Sequence, residues 1–87
     1  MDYKINYKSK LLIFFPKWVD AFVFNKTIYV RESTISNRLL KHELQHVKQY
    51  KEQGIFKFLI KYFYYNIRYG YKNNPFEIEA KLAEVKY

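Results

Sequence analysis

The segment from Thr34 to Gly54 decides how this chain folds, and it reads TISNRLLKHELQHVKQYKEQG. At about 100° per residue, Leu40, Leu44 and Val47 form one tight apolar stripe, which predicts a helix that buries one side. The two ends of the segment carry residues that start and stop helices: a threonine or a serine for the N-cap, and a glycine after the last turn. We therefore expect one long amphipathic helix in the middle of the chain.

The same helix carries the only two histidines of the chain, in the order His42-Glu43-Leu44-Gln45-His46. Residues four apart lie one turn above each other on one helix face, so both imidazoles can bind one zinc ion. The glutamate between them reaches a water on that metal, an arrangement typical of metal-dependent hydrolysis. The three residues lie at the boundary of the apolar stripe, where the floor of a cleft is expected. The alternative is that an exposed helix matches a five-residue pattern by chance.

Catalytic zinc typically takes three protein ligands and keeps a fourth position for water. The chain has no cysteine and both histidines belong to the motif, so the third ligand must be an aspartate or a glutamate. Among the acidic residues, Glu77 and Glu79 begin a new helix after a turn that is long enough to bring this helix back across the first. Asn74 is suited to cap that helix and Pro75 to its first turn. Either glutamate is therefore a candidate ligand.

The motif His42–His46, followed by the run Asn74–Ala80 (NPFEIEA), resembles the minimal gluzincins, which are very short zinc peptidase-like proteins of bacteria, archaea and phages. The resemblance implies a zinc metallopeptidase in which Glu77 is the third ligand and Glu79 the second choice. It also implies that self-inhibited forms occur. Related integral-membrane gluzincins carry an aspartate that orients a zinc histidine, and this chain has Lys81 at that position. Either another group orients the histidine, or the metal is held more weakly.

Residues 21 to 32 give the best strand signal, because they are rich in β-branched and aromatic side chains. Asn25-Lys26 predicts a tight turn and a hairpin of Ala21–Phe24 with Thr27–Arg31; a bulge in one longer strand is the alternative. The second half of this region resembles the edge strand above the gluzincin active site, and the resemblance covers roughly residues 20 to 81. An edge strand binds an extended peptide through its backbone. We therefore expect substrate binding at Thr27, Ile28, Tyr29 and Val30.

The resemblance implies a mechanism in which zinc, held by His42, His46 and Glu77, activates a water for attack on a peptide carbonyl. Glu43 takes the proton of that water as the general base and delivers it to the leaving amine. No histidine remains to stabilise the oxyanion, so we expect a tyrosine, with Tyr69 or Tyr71 nearest along the chain. The expected cofactor is Zn²⁺ and the expected partner is a peptide or protein substrate.

Two other classes of function stay open. A catalytically inactive zinc-binding module for protein interactions fits the replaced acidic residue at position 81. A binder of nucleic acid or of anionic surfaces fits the net charge of +8 and the aromatic content of 22%. The basic residues are scattered, however, and the abundance of Phe, Tyr, Lys, Ile and Asn matches AT-rich codons equally well. No specific nucleic-acid partner is therefore expected.

The order of the predicted elements is short strands followed by three helices in 87 residues, which predicts a single α+β domain over residues 1–87. We expect a small antiparallel sheet or hairpin that packs on a three-helix layer, with the motif helix between the sheet and the second helix. No stretch approaches the roughly 18 apolar residues of a membrane helix. Pro16, Lys17 and Asp20 interrupt the early apolar run too soon for a signal peptide. A cytoplasmic protein is predicted.

The second predicted helix, Ile55–Tyr71, is apolar over most of its circumference. One interpretation is a central core helix whose tyrosine hydroxyls reach water. The other is a surface that contacts a second copy of the chain or the face of a membrane. A homo-oligomer through this helix is therefore one expected assembly.

Overall fold

The computed structural model describes residues 2 to 86, and its strands precede its helices. The elements in chain order are β1 (Lys4–Asn6), a 3-10 helix (Lys10–Phe14), β2 (Ala21–Phe24), β3 (Thr27–Val30), α1 (Asn37–Gln53), α2 (Ile55–Tyr69) and α3 (Pro75–Lys86). The predicted α+β class is confirmed. Within residues 2 to 86, no helix has the length and apolar character needed to cross a membrane.

The three strands form one mixed sheet in the order β1-β3-β2. β2 and β3 are an antiparallel hairpin around Asn25-Lys26, as predicted, and Asn25 adopts a left-handed φ of 57° at the turn. β1 pairs with β3 in parallel, with Ile5 opposite Ile28. The prediction of a purely antiparallel sheet was therefore wrong. Pairing between strands so far apart in the chain depends on the path of the connecting segment, which the alternation within each strand does not reveal.

β3 lies in the middle of the sheet and is hydrogen-bonded on both sides. The prediction that Thr27, Ile28, Tyr29 and Val30 form an edge strand was therefore wrong, because β1 and β2 already use the backbone groups of β3. Two of these side chains, Ile28 and Val30, are buried and form the core with Val47. The edge of the sheet beside the helices is β2, which in the described part of the chain pairs with β3 alone.

The motif helix α1 begins and ends as the sequence indicates. Ser36 is its N-cap, and the side chain accepts a hydrogen bond from the Leu39 N–H at 3.1 Å. Gly54 ends α1 with a φ of 83°, in the left-handed region that favours glycine, and the next residue starts α2. The predicted apolar stripe faces the sheet: Leu44 packs with Leu40 against the buried core around Val47. Ordinary local signals therefore place the motif residues beside the core.

Asn74 joins α2 to α3, and it is completely buried. Its Oδ1 accepts a hydrogen bond from the Phe76 N–H at 2.9 Å, which caps α3. Its Nδ2 donates to the Tyr62 carbonyl at 3.2 Å and to Asn66 Oδ1 at 2.9 Å, both on α2. One side chain thus starts α3 and fixes it to α2. It therefore holds the start of α3 in place beside α2.

α2 lies at the surface, so its interpretation as a central core helix was wrong. Across its whole length, which the structure describes, Phe58 is the one buried residue. The side chains of Phe56 and Ile67 are 82% and 87% exposed. α1 packs on the sheet, on α2 and most extensively on α3. α3 therefore covers the side of α1 that the sequence assigned to the aromatic helix.

Candidate metal centre

The centre forms where α3 crosses α1, and it brings together His42, His46 and Glu77. The Nε2 atom of His42 lies 3.0 Å from Oε1 of Glu77, and Nε2 of His46 lies 3.1 Å from Oε2 of the same carboxylate. One ligand atom from each residue lies within 4.8 Å of the other two. His42 and His46 come from successive turns of α1, whereas Glu77 comes from the first turn of α3.

The arrangement of these atoms fits a zinc ion. Tetrahedral coordination at about 2.1 Å separates neighbouring ligand atoms by about 3.4 Å. The observed separations of 3.0 and 3.1 Å are a few tenths of an ångström shorter, so small side-chain rotations open the group to that size. Two imidazoles and one carboxylate are also a donor set typical of hydrolytic zinc.

The outer nitrogen of His42 is held by Glu84, which lies on α3. Nδ1 of His42 lies 2.6 Å from Oε2 of Glu84. A carboxylate only accepts hydrogen bonds, so Nδ1 is the donor, and in the neutral ring the lone pair of Nε2 points into the centre. Lys81, where the resemblance to membrane gluzincins implies an aspartate, is exposed. Glu84, one turn further along α3, orients the histidine instead.

The outer nitrogen of His46 is held by a glutamine on its own helix. Nδ1 of His46 lies 2.8 Å from Oε1 of Gln49. The amide Nε2 of Gln49 donates to the Phe76 carbonyl and to Oε1 of Glu79, each at 3.0 Å, so its oxygen must face the imidazole. His46 therefore carries its proton on Nδ1 and turns Nε2 inward. Glu79, the alternative ligand, does not join the centre; it accepts hydrogen bonds from Gln49 and from Gln45.

The charges of the centre are strongly coupled. Burial lowers the pKa of His42, but hydrogen bonds to Glu77 and Glu84 outweigh burial and raise the pKa to about 9. The pKa of His46 is also raised, because its contact with Glu77 outweighs its burial. Burial raises the pKa of Glu77, but the hydrogen bonds from both imidazoles hold this pKa far below its usual range. Without a metal, the centre therefore favours protonated imidazoles around a carboxylate, and a divalent cation supplies the same positive charge.

Glu43 lies beside the three ligand residues and is 5% exposed. Burial raises the pKa of its carboxyl group, and the charges of His46 and His42 oppose this shift. A raised pKa makes the carboxylate a stronger base. The site thus contains a group suited to general-base chemistry next to a group suited to metal binding.

A cavity of about 730 Å³ opens onto the centre. Its walls come from residues 15–24, which include all of β2, and from the inward face of α2 with Phe58 and Tyr62. Most of the lining is aromatic or aliphatic. The expected substrate-binding residues Thr27, Ile28, Tyr29 and Val30 do not belong to the described lining; the strand that lines the cavity is β2, which lies at the edge of the sheet.

Two tyrosines lie at the centre. The Tyr62 hydroxyl donates a short hydrogen bond to Oε2 of Glu77, and Tyr71 lines the cavity. Burial, and then the charge of Glu77, raise the pKa of both hydroxyls, so both remain protonated donors. The two tyrosines that chain position favoured are both 49% exposed, but Tyr71 lines the cavity, whereas Tyr69 is not among the described lining residues.

Three residues of the site were missed by sequence reasoning, and two of them left a signal. Glu84 follows Glu77 by seven residues, or about two helical turns, so both share a face of α3. Gln49 follows His46 by three residues on α1 and faces the same way. Tyr62 left no signal, because its place depends on how α2 packs against the other two helices.

Comparison of the chain with protein-family models, with curated proteins and with solved structures finds no match. The resemblance to minimal gluzincins therefore rests on the two sequence motifs alone.

Proposed function

We propose that this chain is a zinc-dependent peptidase whose metal centre is formed by His42, His46 and Glu77. One observation carries the proposal: the inner nitrogens of both imidazoles converge on one carboxylate, while each outer nitrogen is held by a separate partner, Glu84 or Gln49. A histidine pair on an exposed helix face needs no such support. Ligands that are fixed from behind are typical of metal sites.

Each residue of the centre has a role in peptide hydrolysis. When bound, zinc supplies Lewis acidity, which lowers the pKa of water and polarises a carbonyl. Glu43 takes the proton from the water that attacks the peptide carbonyl and then delivers it to the leaving amine. The hydroxyls of Tyr62 and Tyr71 line the same cavity as Glu43 and are the candidate donors for the oxygen that becomes negative during the attack.

The cavity favours an extended peptide with apolar side chains. β2 lies at the edge of the sheet and forms one wall, so the backbone of a peptide can pair with it. The opposite wall consists of aromatic rings, which include Phe58 and Tyr62. Backbone pairing tolerates many sequences, whereas the aromatic wall favours substrates with apolar side chains next to the cleaved bond.

The proposal is tested by measuring zinc content and casein cleavage in the same preparations. Wild-type protein should contain one zinc per chain; Glu77→Ala should lose it, and Glu79→Ala should keep it. Glu43→Gln should keep zinc and lose cleavage of unfolded casein by a factor of about 100 to 10,000. If Glu77→Ala holds zinc as tightly as wild type, or if Glu43→Gln cleaves casein as fast, the proposal is wrong.

A zinc-binding interaction module without catalysis is the second candidate, and the exposed apolar face of α2 favours it. For each variant, this candidate predicts the same zinc content as the peptidase proposal does, but it predicts no cleavage of casein by wild type at any concentration. The same set of proteins therefore separates the two functions.

A further inference from the structure

The positive charge of the chain is concentrated in two segments. Residues 3–19 and 53–76, called here the acid-free segments, contain no aspartate or glutamate and carry a formal charge of +4 each. The rest of the chain has eight basic and eight acidic residues, which balance. The whole net charge of +8 therefore belongs to these two segments, although basic residues occur along the entire chain.

The acid-free segments also carry most of the exposed large apolar side chains in the described part of the chain. In the first segment, Ile13, Phe14 and Trp18 are 79%, 84% and 69% exposed. In the second, all of the exposed large apolar side chains except Tyr71 belong to α2. Aliphatic and aromatic groups that stand this far out of a small protein, next to basic residues, indicate a contact surface.

The outward face of α2 is an apolar stripe with a basic flank. The stripe residues are spaced three or four apart and are 63% to 87% exposed: Phe56, Ile60, Phe63 and Ile67. They lie on the side of the helix opposite the buried Phe58 and extend about 17 Å along its axis. Three basic residues follow the helix on one side of the stripe: Lys57, Lys61 and Arg68.

The two acid-free segments meet at the cavity of the metal centre. The ring of Trp18, from the first segment, lies 6.1 Å from the ring of Tyr71, from the second. Phe15 and Phe63, one from each segment, both line the cavity. The basic and apolar surfaces therefore border the same opening.

We propose that the acid-free segments form a docking surface for a lipid bilayer that contains anionic lipids, and that docking brings the mouth of the cavity to the bilayer. The basic residues complement anionic headgroups, and the exposed aromatic and aliphatic side chains enter the boundary between headgroups and acyl chains. This inference does not depend on the proposed peptidase activity.

Charge and chemistry favour a bilayer over two other occupants of the surface. A second copy of the chain would bring two faces of the same charge together. The phosphates of a nucleic acid would form ion pairs with the lysines. Aliphatic side chains such as those of Ile13, Ile60 and Ile67, however, make no favourable contact with phosphate groups. An anionic bilayer satisfies the charge and the apolar side chains together.

Trp18 is the only tryptophan of the chain and is itself part of the surface, so its fluorescence reports docking. Wild-type protein is titrated with vesicles of phosphatidylcholine that contain 30% phosphatidylglycerol, and with vesicles of phosphatidylcholine alone. We expect a blue shift and co-sedimentation with the anionic vesicles, with an affinity at least about tenfold higher than for neutral vesicles. At 0.5 M NaCl most of this difference should disappear.

The double variant Ile60→Asn/Ile67→Asn should bind anionic vesicles at least about tenfold more weakly. The matched control is Leu82→Asn/Val85→Asn on α3, whose side chains are 61% and 76% exposed on a helix outside the acid-free segments. The control should bind within about twofold of wild type. Far-ultraviolet circular dichroism verifies that both variants remain folded.

Four results would overturn the proposal. The first is no blue shift and no sedimentation with anionic vesicles at low salt, and the second is an equal loss of binding in both double variants. The third is that wild-type protein does not bind vesicles but self-associates, and that Ile60→Asn/Ile67→Asn abolishes this self-association. That result would assign the surface to contacts with a second copy of the chain. The fourth is that the protein binds a single-stranded oligonucleotide more tightly than it binds anionic vesicles, and that the double variant Ile60→Asn/Ile67→Asn does not change this binding. That result would assign the basic residues to contacts with nucleic acid.

Discussion

Nδ1 of His42 and Oε2 of Glu84 lie 2.6 Å apart, although 42 residues separate them in the chain. The other carboxylate oxygen of Glu84 accepts a hydrogen bond from Nε of Arg38, also at 2.6 Å. The Glu84 side chain is 14% exposed, whereas that of Arg38 is 70% exposed, so solvent screens the arginine far more than the histidine contact. Glu84 therefore fixes the ring of His42 in a protected position.

Glu84→Ala should weaken zinc binding by about 10- to 100-fold, because His42 loses the partner that sets its orientation and its protonated nitrogen. Competition with a chromogenic zinc chelator measures the affinity. Arg38→Ala is the matched control, since it removes the exposed partner of the same carboxylate and should change the affinity little. An Arg38→Ala effect as large as that of Glu84→Ala would contradict this assignment.

Zinc binding should release protons at neutral pH. The pKa of His42 in the metal-free centre is about 9, so the ring is protonated at pH 7 and must lose a proton to become a ligand. The apparent affinity should therefore rise with pH by at least about tenfold per unit between pH 6 and pH 9, and level off above. Calorimetric titration at pH 7 in buffers with different heats of ionisation counts the protons. Binding without proton release would show that the ring is already neutral.

Tyr71→Phe should lower kcat for a peptide by about 100- to 1,000-fold while zinc content stays unchanged, if the hydroxyl stabilises the oxyanion. Tyr62→Phe should instead lower zinc affinity, by about tenfold, because its hydroxyl holds Glu77. Steady-state kinetics and the chelator competition are carried out on both variants. Tyr69→Phe is the control, because Tyr69 is as exposed as Tyr71 but is not among the described lining residues of the cavity, and it should behave as wild type. If all three variants have the same kcat and the same zinc affinity, neither Tyr62 nor Tyr71 has the role assigned to it.

Asn74→Ala should reduce the free energy of unfolding by about 2 to 4 kcal/mol. The variant removes the N-cap of α3 and leaves buried hydrogen-bonding groups of Tyr62 and Asn66 without their partner. Urea denaturation followed by circular dichroism measures the change. The neighbouring Asn73 is exposed, and Asn73→Ala should cost less than about 0.5 kcal/mol. Equal effects at the two positions would argue against the bridging role of Asn74.

The sequence predicted the local features of the fold correctly, because each depends on residues that are close together in the chain. The Ser36 cap, the glycine that ends α1 and the turn at Asn25-Lys26 each depend on residues a few positions away. Side chains one helical turn apart necessarily share a face, so the convergence of His42 and His46 was readable from their spacing. The sheet was harder, since the parallel partner of β3 lies more than twenty residues before it.

By itself, the sequence determined the hairpin, the three helices with the two ends of α1, and the two imidazoles on one helix face, because backbone geometry and short-range periodicity fix these features. The tertiary structure brings Glu77 rather than Glu79 to the imidazoles, as the family resemblance implied, and it alone decided that Glu84 holds His42 and that the apolar face of α2 points outward. These outcomes depend on how α3 packs across α1, where Arg38 and Gln49 bind glutamates of α3, and on Asn74, which joins the start of α3 to α2. Contacts between distant segments leave no period in the sequence, so only the folded chain reveals them.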